Sequence, residues 1–195
     1  MLNDIPASLK QLYNEFKEND HYPEDMFVDS QEALRLVDDN TMVVVVDVNK
    51  PPITECEELL GMVKTIAVLD HHRQGSKAIE NAVLSYVEPY ASSTCEMVAE
   101  VLQYISDDIR LDPIEANCIY AGIMIDTNNF TNRTGVRTFE AAAFLRRNGA
   151  DVTHVHKIFR DDLEAYRAKA AIIGRAEIYR DCFIIARGAE EDIES

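Results

Sequence analysis

Two β-branched runs decide most of what this chain can fold into. "TMVVVVDV" (residues 41–48) and "TIAVLD" (residues 65–70) are apolar without polar alternation, and an aspartate follows each apolar core. A strand with no polar face is one covered on both sides, as in a parallel sheet. Parallel neighbours need a crossover, and "TECEELLGMV" between them has the residues for a connecting helix. "AVLSYVEP" reads as a third strand, closed by Pro89. The expected fold class is α/β, a parallel Rossmann-like sheet flanked by helices with right-handed crossovers.

Helices fill most of the remainder. "SLKQLYNEFKEN" and "SQEALRLV" place apolar residues at helical spacing. Ser93 and Glu96 have the spacing of a capping box ahead of Met97, Val98, Val101, Leu102 and Ile105. Asp112, Pro113 and Glu115 form a second start signal: cap, proline at the first helical position, acid at the third. "GVRTFEAAAFLRRNGAD" predicts a helix stopped at Gly149, and "DDLEAYRAKAAIIGRAEIY" a longer one. "CFIIARG" reads as a strand before the acidic tail "AEEDIES".

Charge narrows the partners. The 195 residues carry 35 acidic against 19 basic side chains, a formal net charge of −16. Such a surface repels phosphate backbones, which excludes long nucleic acid as a general partner. A phosphorylated ligand would need metal ions or a small arginine cluster to overcome that field. The four cysteines form no C-x-x-C pair, which fits free thiols in a reducing compartment. No signal peptide is visible and no apolar run reaches the ~20 residues of a membrane span, so a cytoplasmic location is expected.

In an open parallel sheet, functional groups gather where the strands end. Asp47 ends "VVVVD", and Asp70, His71 and His72 end "TIAVLD". Asp126 follows the apolar helix "NCIYAGIMI" and opens "DTNNFTNRTG". Carboxylates with imidazoles suit Mn²⁺ and similar divalent ions. Taken singly, Asp47 and Asp126 fit turn or helix-end residues better than site residues. Adjacent imidazoles after a strand-terminal aspartate fit a site better, as ligands or proton carriers. His154 and His156 lie two apart in an expected helix and so face different ways. Asp107–Asp108 and Asp161–Asp162 read as solvated or capping acids. There is no G-x-G-x-x-G, Walker loop or G-x-S-x-G.

Together, "DHH" after a strand, an earlier "VVVVD" and a later "GIMIDTNNF" resemble the DHH phosphoesterase superfamily. The longer stretches "EPYASSTCEMVAEVLQY" and "GIMIDTNNFTNRTGVRTFEAAAFLRRNGAD" look most like the membrane-anchored cyclic-di-AMP phosphodiesterases of the GdpP type. The resemblance implies two Mn²⁺ ions, with Asp47 as bridging carboxylate and His71 and Asp126 as further metal ligands. It implies that Asp70 orients a ligand through a hydrogen bond and that His72 faces the substrate phosphate. It also implies phosphate contacts from Arg133 and from the helix start at Ser92 and Ser93, where backbone N–H groups are offered. The implied reaction is hydrolysis of cyclic di-AMP to linear pApA by a two-metal mechanism.

The chain departs from that family pattern at both ends. Family members begin with a strand ending in H-x-x-x-D-x-D, which supplies three more metal ligands, and nothing before Asp47 matches it. They also carry a second, DHHA1-like lobe with a Gly-Gly-Gly-His segment. The expectation is a DHH domain over residues 1–178 lacking its first strand, then a linker and the first strand of that lobe over 179–195. Such a piece should hold one metal ion or none, be inactive or nearly so, and self-associate as a homodimer through a raw sheet edge. Its membrane attachment would lie in segments outside it. Alternatives are an oligoribonuclease- or pyrophosphatase-like member of the superfamily, a RecJ-type exonuclease, and a non-catalytic module that keeps the fold.

Overall fold

A computed structural model describes residues 3–6, 9–75, 77–106, 108–160 and 163–188. Asp107, Asp161, Asp162 and the tail 189–195 lie outside the described residues. The chain divides into two compact units, residues 1–158 and 159–195.

The first unit is built on three parallel strands in the order β1–β2–β3: β1 (Met42–Val46), β2 (Thr65–Asp70) and β3 (Leu84–Val87). Val44 pairs with Ala67 and Ala67 with Leu84, so β2 is the middle strand. One face of the sheet buries Val45, Ile66 and Val68 against Leu60, Val63 and Ile79. On the other face α4 (Thr94–Ile105) lies over β2, so residues 66–70 are all buried.

β1 was expected to be covered on both sides and is not. Met42, Val44 and Val46 remain half exposed while Val45 is buried. The physical reason is position: β1 is an outer strand of this sheet, and its second face gains no helix comparable to α4 over β2. The connection from β1 to β2 also differs from a single helix. It is a 3₁₀ turn at Pro51–Ile53 followed by the short α3 (Leu59–Met62). The proline pair favours the tight turn and blocks a longer helix.

Helices α4, α5 (Pro113–Asp126), α6 (Val136–Arg147) and α7 (Val152–Ile158) pack together, with α1 (Lys10–Lys17) against α5 and α2 (Ser30–Leu36) preceding β1. Met97, Ala116, Ile123, Leu145 and Val155 are buried among them. The α4–α5 crossing depends on Gly122, where an added Cβ would stand 2.2 Å from Cys95 Sγ. Gly149 has φ 98° at the end of α6, the left-handed backbone that stops a helix. Both halves of the capping box expected at Asp112 and Glu115 are present. At Ser93 only one half forms: its Oγ accepts from Glu96 N at 3.0 Å. The Glu96 carboxylate instead accepts from Ser92 Oγ at 2.5 Å. Arg137 of α6 ties the layer to the sheet, donating to both Glu100 oxygens at 2.7 Å and to Tyr86 Oη at 3.3 Å.

The second unit holds α8 (Leu163–Gly174) and an antiparallel hairpin of β4 (Glu177–Tyr179) and β5 (Phe183–Ile185). The helix expected to run to Tyr179 stops at Gly174. Residues 177–179 pair with 183–185 instead, with Arg180 and Asp181 taking the left-handed turn conformations that join them.

Candidate metal centre

The carboxyl ends of β1 and β2 open on the same side as the end of α5. Five of the sequence-predicted residues, Asp47, Asp70, His71, His72 and Asp126, meet there, whereas no contact joins Arg133, Ser92 or Ser93 to them among the described residues. Asp47 leaves β1 with φ 65°, an uncommon backbone for a residue with a side chain. Its N–H donates to Leu69 O at 3.0 Å, so the turn out of β1 is anchored to β2 just before Asp70. Thr94, in the first turn of α4, donates its hydroxyl to Asp47 Oδ1 at 2.8 Å.

His71 is the hub. Its side chain is 11% exposed, and its Nε2 stands 3.5 Å from Asp47 Oδ1 and 3.9 Å from Asp126 Oδ2. Two ligand atoms each about 2.0–2.2 Å from one divalent ion stand roughly 3 to 4.4 Å apart. The observed gaps fall inside that window, and the donor set is the mixture that suits such an ion. Asp47, His71 and His72 also offer ligand atoms within 4.8 Å of one another. His72 Nδ1, however, is 2.8 Å from Asp70 Oδ1 and is committed there. Asp126 approaches His71 but is not in that group, so its carboxylate would have to turn toward Asp47 for the two to share an ion.

Asp70 is fully buried and faces inward. Its Oδ1 also accepts from His72 N at 3.1 Å, and its Oδ2 accepts from Asn49 Nδ2 at 2.5 Å. The bond from Asp70, with the charges of Asp70, Asp47 and Asp126, pushes the His72 pKa up against the opposing effect of burial. Burial, and then the negative charge of Asp47, pushes the Asp126 carboxyl up as well, with His71 and His72 acting in the opposite sense.

After Asp126 the chain makes a rare turn. Asn128, Asn129 and Phe130 have φ of 47°, 57° and 61°, three left-handed residues in succession. Strained backbone of this kind concentrates at functional sites. Arg133 follows with φ 53° and an exposed side chain. Ser92 and Ser93 are buried, their hydroxyls turned to Glu96 as described above. His154 pairs with Glu15 at 2.9 Å, and no bond joins it to His156 among the described residues.

Sequence reasoning missed Thr94 and Asn49. Both touch the expected aspartates, and both are ordinary residue types whose partners are brought near only by the fold.

Residues 6–123 match the model of the DHH family, N-terminal domain. The chain belongs to the DHH family. Across 98% of its length it is 39% identical to the cyclic-di-AMP phosphodiesterase GdpP of Bacillus subtilis (strain 168), of which it covers 29%. Across 96% it is 38% identical to the cyclic-di-AMP phosphodiesterase PdeA of Listeria monocytogenes serotype 1/2a, of which it covers 28%. This DHH chain therefore spans under a third of the length of those relatives. Its fold is similar to that of an exopolyphosphatase-related protein from Bacteroides fragilis, with TM-score 0.67 and 21% identity over 91% of this chain and 52% of that one. No helix among the described residues is long and apolar enough to cross a membrane.

Proposed function

We propose that this chain is part of a manganese-dependent phosphodiesterase that hydrolyses cyclic di-AMP to linear pApA. The observation that carries the reading is His71 Nε2 standing between the carboxylates of Asp47 and Asp126. The similarity to two cyclic-di-AMP phosphodiesterases supports the substrate. A divalent ion bound there would acidify a coordinated water and offset negative charge on the phosphoryl group.

The residues divide the work. Asp47, His71 and Asp126 hold the ion, and Thr94 fixes the Asp47 oxygen that faces His71. Asp70 accepts from His72 Nδ1, which turns His72 Nε2 toward a substrate phosphate and favours its protonated, donating form. Arg133 is the exposed cation assigned to phosphate in a strongly acidic protein. The Ser92 and Ser93 hydroxyls are committed internally, so any phosphate contact there runs through backbone N–H groups.

The three ligands suffice for one ion. A two-ion mechanism would draw its remaining ligands from the rest of the protein, and the isolated chain should turn over poorly or not at all. Calorimetry with Mn²⁺ on this chain should show one site that Asp47→Asn removes. In the whole protein, Asp47→Asn should abolish hydrolysis of cyclic di-AMP. Absence of Mn²⁺ binding, or a whole-protein variant that keeps its turnover, overturns the proposal; the latter would favour a non-catalytic module.

A further inference from the structure

Behind the histidines lies a polar side chain with no role in the account above. Asn49 sits two residues past Asp47 and is 3% exposed. Its Nδ2 donates to Asp70 Oδ2 at 2.5 Å and, more weakly, to the backbone carbonyl of His72 at 3.3 Å. Its own backbone carbonyl accepts from Ile79 N at 3.0 Å. Its Oδ1 is buried and has no hydrogen-bond partner among the described residues.

A buried amide with its acceptor unmet needs a reason to be there. The network fixes which way it points. Asp70 Oδ1 already accepts from His72 N and faces His72 Nδ1, and Oδ2 needs a donor of its own. Turning the amide over would set its oxygen against a carboxylate oxygen. An apolar residue of similar bulk would remove the orphaned Oδ1 but leave Asp70 Oδ2 buried and unpaired. Both donor contacts of Asn49 therefore converge on one histidine: one holds the carboxylate that grips its ring, the other its main chain.

We propose that Asn49 is a positioning residue for His72. By fixing the plane of the Asp70 carboxylate, it keeps the proton on Nδ1 of the neutral ring and turns Nε2 outward. The tautomer of an imidazole is set by the hydrogen bond its other nitrogen makes, so loosening Asp70 loosens that choice. Asn49 makes no hydrogen bond to Asp47, His71 or Asp126, so its effect on His72 is separable from ion binding. The functional value of this role rests on the reading of His72 as the group that faces phosphate.

The test reads the ring directly, on metal-free chain labelled with ¹⁵N. Two-bond ¹H–¹⁵N correlations at alkaline pH should show His72 with a protonated Nδ1 and a bare Nε2. In Asn49→Leu and in Asn49→Ala, which both lose the donor, the Nε2–H form should rise several-fold. The His154 signals should stay as they are in wild type. Mn²⁺ affinity should change by no more than about twofold, because the proposed ligands are untouched. A His72 tautomer that stays as in wild type in both variants overturns the proposal. So does one that changes only together with His154 as the fold loosens. The readout uses neither metal nor substrate, so failure of the hydrolase reading and failure of this one are told apart.

Discussion

The Thr94 hydroxyl donates to Asp47 Oδ1 at 2.8 Å, and that same oxygen faces His71 Nε2 at 3.5 Å. A helix start thus fixes one of the carboxylates that the proposed ion requires. Partners that orient a metal ligand typically change affinity by about 10- to 100-fold when removed. Thr94→Val, which keeps the shape and loses the donor, should weaken Mn²⁺ binding by about tenfold, and Thr94→Ser should restore most of it. Calorimetry on the two variants checks this; equal affinity in Thr94→Val and wild type would refute it.

Acid should loosen the ion at a higher pH than an ordinary carboxylate site would show. Burial and the charge of Asp47 hold the Asp126 proton more tightly than usual. Proton and metal compete for the same oxygen, so Mn²⁺ affinity falls as pH drops into that raised range. In the metal-free chain the sign is opposite. A raised carboxyl pKa favours the folded state while the group is protonated, and that contribution is lost as pH rises through the folded pKa. Asp126→Asn should remove both dependences, as read from Mn²⁺ titrations and from metal-free thermal melts across pH.

Cysteine chemistry should divide by position. Burial pushes the Cys95 and Cys118 thiols up to about 12, whereas Cys182 is exposed. At pH 8 a thiol of that kind is about one part in ten thousand thiolate, the form that alkylates. Iodoacetamide on the native chain should label Cys182 first and reach Cys95 and Cys118 only after denaturation. Early labelling of Cys95, followed by mass spectrometry, would show that the α4–α5 contact opens.

Gly122→Ala should destabilise the first unit. The added Cβ would stand 2.2 Å from Cys95 Sγ, in a helix crossing without room for it. Overpacking of this kind costs about 1–3 kcal/mol. Pairing it with Cys95→Ala should recover much of the loss, because the atom it meets is gone. Thermal melts of the single and double variants decide the matter, and strictly additive losses would contradict the crossing described here.

Self-association is the expected consequence of β1. Met42, Val44 and Val46 present a half-exposed apolar row on an outer strand with no charged residue among its five. Exposed edges of this type pair with other chains. Light scattering at rising concentration should show oligomers that Val44→Lys reduces, and a monomer throughout would count against the idea.

Much of the candidate cluster was legible because its signals are local. A run of apolar residues ending in Asp70, His71 and His72 can be read without knowing what packs where. Asp47 and Asp126 needed only the rule that strand and helix ends carry function in such folds. Thr94 and Asn49 were not legible, since a threonine and an asparagine gain meaning only from partners 47 and 21 positions away. The same limit explains the overextended last helix. Residues 177–179 are free to continue α8 by local preference, and it is their pairing with 183–185 that makes them a strand. The two-sided cover expected for β1 failed for a related reason: composition reports that a strand is apolar, whereas its cover is decided by its place in the sheet.

The left-handed turn after Asp126 limits how this region can vary. Three adjacent positions hold a backbone that asparagine tolerates and β-branched side chains resist. Exchanges at Asn128 and Asn129 are therefore screened first by chain geometry and only afterwards by chemistry. Library selections there should return glycine, asparagine and aspartate, whatever ligand is used to select them.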